Sequence, residues 1–186
     1  MSRSVDTIHE EILVLAVQAG EVAALETLVR KWLPIIRRHS CRMTGDAVGA
    51  EDVAQEALLA LVSTLSRLDD PTSARAFMLR LVTHKAADWI RRRQRDRALT
   101  RTIRDRQPRA HSIDSVRTDE TIDRAALIRA ACQQLPPDLR AVVSLYYGES
   151  LAVAEIALTL GVPSGTVKSR LHDAREQLRP LLERTR

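Results

Sequence analysis

Side chains able to read a polyanion recur along one stretch near the C-terminal end. Thr166, Lys168, Ser169 and His172 carry hydrogen-bonding groups suited to base edges, and Arg170 and Arg175 carry guanidinium groups suited to phosphates. They fall on a helical period whose other side, Val167, Leu171, Ala174 and Leu178, is apolar, with Arg175 nearer the domain. Before them, Ala154, Ile156, Ala157 and Leu160 give a shorter helix an apolar side. Gly161-Val162-Pro163 breaks that helix, and Ser164 is placed to cap the next. The pattern is a helix-turn-helix, whose second helix presents its N-terminal residues to a major groove. A single amphipathic helix is ordinarily a solvated face laced by charge pairs; the preceding helix and glycine turn favour DNA contact.

A second set lies mid-chain. Arg80, His84, Lys85, Asp88 and Arg91 are spaced so that several share one helical side, and Arg92, Arg93 and Arg95 extend the basic character. From Arg91 to Arg109 nine arginines stand against Asp96 and Asp105, a local balance of +7. The whole chain carries only +5, so the remainder is slightly acidic. A basic run of this kind suits nucleic acid when it accompanies a separate reading motif. A third set is acidic: Asp52, Gln55, Glu56 and Leu59 form an i, i+3, i+4, i+7 stripe beside a buried one, and a second stripe on one helix implies a partner.

Other chemistry is poorly served. Glu51, Asp52 and Glu56 lie at a helix start, where carboxylates suit the helix dipole, and no matching acidic set lies nearby to complete a metal-dependent centre. Ser164 in Gly161-Val162-Pro163-Ser164-Gly165 does not sit in a nucleophile elbow. Cys41 and Cys132 lack zinc-site spacing and read as free buried thiols, and His39 beside Cys41 is half of a metal pair with no second half. No catalytic residue, metal or cofactor is assigned. Neither a signal peptide nor an apolar run of membrane-spanning length is apparent, so a cytoplasmic protein without membrane insertion is expected.

The elements that must position these sets are helices. Apolar residues make up 45% of the 186 residues but aromatics only 3%, so the core is built from Leu, Val, Ile and Ala, and the fold class is all-α. Ile8, Ile12, Leu15 and Ala19 recur at helical spacing up to Gly20. A helix from about Glu21 to Gly45 carries Leu25, Leu28, Val29, Trp32, Leu33 and Ile36, with a kink expected at Pro34. One from Ala47 to Leu68 has Val53, Ala57, Leu58, Leu61, Val62 and Leu65 on its core side. After a loop, another runs from Ser73 into the arginines with Phe77, Leu81 and Ala87 inward. Periodicity disappears between about Ala98 and Thr118, which reads as a flexible linker. Four further helices follow, the first from Asp119 to Leu135, the second from Asp138 to Tyr147. Two small helical domains, 1–96 and 119–186, are therefore expected around a linker at 97–118.

The residues Ala50-Glu51-Asp52-Val53-Ala54-Gln55-Glu56, Phe77-Met78-Leu79-Arg80-Leu81 and Asp88-Trp89-Ile90-Arg91-Arg92-Arg93 resemble region 2 of the bacterial sigma factors of the extracytoplasmic-function group. Leu135-Pro136-Pro137-Asp138-Leu139-Arg140, Glu155-Ile156-Ala157 and Gly165-Thr166-Val167-Lys168-Ser169-Arg170-Leu171 resemble region 4. The resemblance implies a dissociable specificity subunit whose partners are core RNA polymerase and promoter DNA, with an anti-sigma factor as a further partner left open. It implies core polymerase docking through Asp52, Gln55, Glu56 and Leu59. It implies minus-ten contacts through Arg80, His84, Lys85, Asp88, Arg91 and Arg92, and minus-thirty-five contacts through Thr166, Lys168, Ser169, Arg170, His172 and Arg175. Two other readings compete. A stand-alone helix-turn-helix regulator would carry a ligand or receiver domain before its reader, and an enzyme acting on nucleic acid would need converging carboxylates.

Overall fold

The computed structural model describes residues 5–104 and 124–183, with side chains described for 7–98 and 126–183. Every element among them is helical: α1 (Val5–Gln18), α2 (Val22–Thr44), α3 (Ala47–Leu65), a 3-10 turn (Pro71–Ser73), α4 (Ala74–Arg104), α5 (Arg124–Gln134), α6 (Pro137–Val143), a π-helical turn (Ser144–Gly148), α7 (Val153–Leu160) and α8 (Ser164–Glu183). α4 runs past the boundary drawn at residue 96, and the rest of the expected linker, from residue 105, lies outside the described residues, as do Asp119 and Ile122.

The first unit is a bundle of α2, α3 and α4 with α1 laid across it. Leu28, Trp32, Ile36, Val53, Ala57, Leu61, Leu65, Met78, Leu79 and Val82 are its buried centre. Local chemistry fixes the joints. Gly45 takes φ +66°, a left-handed conformation that favours glycine, and ends α2 by donating its N–H to the Cys41 carbonyl. Asp46 then caps α3 by accepting from the Gly49 N–H at 2.9 Å. That bond, with help from the Arg93 cation, holds the Asp46 carboxyl below its ordinary pKa despite some desolvation.

Several expectations are corrected. Ile8, Ile12 and Leu15 share a side of α1, but it is the outer side, 44%, 58% and 54% exposed; Val14 and Glu10 face inward. Glu10 is tolerated there because Lys31 and Arg75 reach it at 3.3 and 3.4 Å. Val62 is exposed rather than core, because α3 ends at Leu65 and its last turns are covered on one side only. Phe77 and Leu81 do turn inward, half-buried and packed against the core, while Met78, Leu79, Val82, Ala86 and Ile90 take its centre. As expected, α2 carries Pro34 inside it, and that residue is exposed.

The second unit packs α8 across α6, α7 and α5. Val167, Leu171 and Ala174 are buried and Leu178 half-buried, as the period predicts. Ala154 is exposed, and Thr159 takes a buried place on α7 instead. Ser164 is the first helical residue of α8 rather than its cap, and the Pro163 carbonyl receives the Thr166 and Val167 N–H groups. The Arg140 guanidinium is buried at the seam between the units. It donates to the carbonyls of Met43 at 2.6 Å and Leu135 at 2.9 Å, to the Gln133 side chain at 2.7 Å and to the Gln133 carbonyl. A cation is suited there because carbonyls at the C-terminal ends of α2 and α5 converge. The units share one apolar core, to which Ala141, Val142, Leu145, Ile156 and Ala157 contribute from the second.

Candidate nucleic-acid interface

The turn before the reader helix is built by Gly161 at φ +66°, with its N–H to the Leu158 carbonyl and that of Val162 to Ala157. α8 then turns Lys168, Ser169 and His172 to solvent. Thr166 and Arg170 are half-buried on the flanks, and Arg175 is exposed further along. Ser169 Oγ donates to the Thr166 carbonyl at 3.1 Å, which leaves its oxygen free to accept. Arg175 Nε donates to the Tyr147 hydroxyl at 3.1 Å, and its guanidinium lies 5.8 and 6.0 Å from the Tyr146 and Tyr147 ring centres. Arg175 is thus held against its own domain. Arg170 Nη2 reaches Asp138 Oδ2 at 3.2 Å.

The mid-chain cluster forms a second surface. Arg80, His84, Asp88, Arg91 and Arg92 are exposed on α4 and Lys85 is half-buried. Lys85, Asp88, Arg91, Arg92, Arg95 and Glu56 line an open cleft of about 730 Å³. Arg80 does not line this cleft; it lies beside the reader's turn, near Gly161. Carboxylates balance much of the positive charge: Glu56 reaches Lys85 at 3.4 Å and Arg92 at 3.5 Å, and Asp88 accepts from Arg91 at 3.1 Å.

On α3, Asp52 and Gln55 are exposed and Leu59 is 73% exposed, so the second stripe exists as a solvent face. Glu56 departs from it by turning toward α4. The structure therefore brings together residues that the sequence placed at two sites. Sequence reasoning also missed Asp138, which stands 3.5 Å from Arg91 Nη2 as well as beside Arg170. It missed the cation–π contact of Arg93 over Trp89, at 5.1 Å, too. Asp138 carried a signal, since it lies in the Leu135–Arg140 motif, but its partners are remote in sequence. The thiols are not buried as expected: both line a groove between the units, where Cys41 is exposed and Cys132, packed against the Leu135, Val143 and Ala174 cluster, is half-buried. His39 is buried and fully hydrogen-bonded, and no cluster able to hold a metal is found among the described residues.

Comparison with known proteins places this geometry. The sigma-70 region 2 model matches residues 28–96 and the sigma-70 region 4 model matches 125–178. RNA polymerase sigma-E factor of Streptomyces avermitilis is 34% identical over 164 residues, covering 88% of each chain. The chain belongs to the extracytoplasmic-function sigma factors. ECF RNA polymerase sigma factor SigL of Mycobacterium tuberculosis is likewise 34% identical, over 89% of this sigma factor and 92% of that one. Among solved structures, CnrH in complex with the cytosolic domain of CnrY matches with a TM-score of 0.66 at 22% identity, over 94% and 97% of the two chains. RpoE of Bartonella quintana, in complex with the anti-sigma factor NepR, matches at 0.65 and 20%, over 89% and 100%. Both share the fold. No described helix is long and apolar enough to cross a membrane.

Proposed function

We propose a division of labour among the three faces of this RNA polymerase sigma factor, which directs core polymerase to specific promoters and assists initiation. Asp52, Gln55 and Leu59, with Glu56 at their edge, form the docking face for core polymerase. The α4 surface of Arg80, His84, Lys85, Asp88, Arg91 and Arg92, with the loop around Asp69 to Ser73 before it, meets the minus-ten element and holds a non-template base flipped from the stack. Thr166, Lys168, Ser169 and His172 read the minus-thirty-five element, while Arg170 and Arg175 take phosphates. The chain works in the cytoplasm and performs no catalytic step; the polymerase supplies the chemistry. An anti-sigma factor is proposed as a further partner, on the precedent of RpoE and NepR.

The observation that carries this reading is the solvent exposure of Lys168, Ser169 and His172 on a helix whose opposite side is buried, in a chain that also matches region 2. Run-off transcription with core polymerase tests it. Addition of the chain should yield a defined start, whereas the chain alone should bind duplex DNA weakly. Tight operator binding with no polymerase-dependent start would favour a stand-alone regulator instead.

A further inference from the structure

The two halves meet through a polar seam as well as a shared core. At its centre is His39 of α2, with no solvent exposure. Thr83 Oγ1 donates to the Leu79 carbonyl at 2.7 Å, so at 2.8 Å from His39 Nε2 it accepts. Ser144 Oγ, from the second half, accepts from Arg42 Nε at 3.2 Å and therefore donates its own proton to His39 Nδ1 at 3.0 Å. A neutral ring with hydrogen on Nε2 satisfies every group. A proton on Nδ1 would face the Ser144 oxygen with two donors and add a charge beside Arg42. The other charged groups at this joint are Glu149, paired with Arg42, and Arg140, bonded to the Met43 carbonyl. Burial, with the Arg42 charge adding to it, pushes His39 down to about 3.

At the rim of the same seam, Asp138 stands between Arg91 of the first half and Arg170 of the second, at 3.5 and 3.2 Å. One carboxylate thus pairs with an arginine from each DNA-facing surface, and Arg91 also has Asp88 at 3.1 Å. Scale gives this arrangement a consequence. A compact chain of this length has a radius of gyration of about 16 Å, whereas promoter elements centred near minus ten and minus thirty-five lie ~85 Å apart along B-DNA. The docked chain is too small to reach both.

We propose that the seam is an autoinhibitory latch: Asp138 occupies Arg91 and Arg170 in place of DNA phosphate, and His39 holds the halves together only as a neutral imidazole, so that acid opens the chain. The inference rests on the DNA roles given above to Arg91 and Arg170. Because opening returns His39 to an ordinary pKa near 6.5, closure is fully supported above that pH and weakens about tenfold per unit as pH falls below it.

Small-angle scattering of the full chain, together with fluorescence anisotropy on a short labelled duplex, tests the latch. At about pH 8 the chain should be compact, and it should expand as pH falls below the ordinary histidine range. In His39→Gln, whose amide can replace both hydrogen bonds, that expansion should disappear; Ser144→Ala should instead loosen closure at every pH without touching the first unit. Circular dichroism establishes that each variant is folded. Asp138→Asn should bind the duplex up to about 5-fold more tightly, with a salt slope steeper by ~0.9 for Arg170, since Arg91 keeps Asp88 as a partner. An expanded wild type at the higher pH, or unchanged dimensions across pH together with unchanged duplex affinity in Asp138→Asn, overturns the latch. Arg91→Ala and Arg170→Ala, each made with and without Asp138→Asn, separate the two levels. If they weaken duplex binding while Asp138→Asn does nothing, the DNA roles stand and the latch falls; if they leave binding unchanged even beside Asp138→Asn, the DNA roles themselves fail.

Discussion

Lys168 and Ser169 differ from Arg170 in their surroundings, and the difference predicts different mutant behaviour. The first two face solvent near the N-terminal end of α8, the part of the helix proposed to reach base edges. Arg170 lies on the flank, half-buried and engaged with Asp138. Lys168→Ala or Ser169→Ala should cost ~1–3 kcal/mol against the preferred base at one minus-thirty-five position and relax choice there, as measured by competitive transcription from single-base promoter variants. Arg170→Ala should weaken binding evenly across those variants and reduce the salt slope by about 0.9. The solvent face of α8 was legible in the sequence because one amphipathic helix declares its own faces. Asp138 as a partner of Arg170 was not, since the pair meets only through the packing of α6 on α8.

At the scale of elements, α3 shows how far periodicity reaches. Its spacing revealed both a buried side and a second, exposed stripe, and the structure keeps Asp52, Gln55 and Leu59 in solvent. Reversing charge with Asp52→Lys should weaken capture of core polymerase in a pull-down while leaving helicity unchanged by circular dichroism. Glu56→Lys should do so too, and should additionally weaken minus-ten selectivity, because it removes the counter-charge of Lys85 and Arg92. Periodicity cannot say which of two apolar sides of a helix is covered, which is why Ile8, Ile12 and Leu15 stand outside and Val62 is exposed. The contrast has a stability consequence. Trp32→Ala, at the centre of the first bundle, should lower unfolding free energy by ~3–5 kcal/mol, whereas Val62→Ala should change it by less than ~0.5 kcal/mol, both read by denaturant titration.

For the whole molecule, two helical units and their order could be read from charge and apolar spacing, but their docking could not. The seam depends on His39, Arg42, Ser144 and Glu149, and on Arg140 bonded to the Met43 carbonyl, through contacts that cross up to 107 residues of chain. In the sequence His39 stood out only for its neighbour Cys41. Docking also changes what the reader helix implies, since a chain closed on its own arginines gains little from duplex DNA until polymerase or promoter separates the halves. Promoter choice is therefore expected to be a property of the chain and the polymerase together. Transcription by core polymerase on a randomised promoter library, with and without the purified chain and with transcript 5′ ends mapped, tests this most directly. The account predicts chain-dependent starts sharing two upstream sequence elements, the outer one altered by Lys168→Ala. Starts without a shared pair of elements, or the same starts in the absence of the chain, would contradict it.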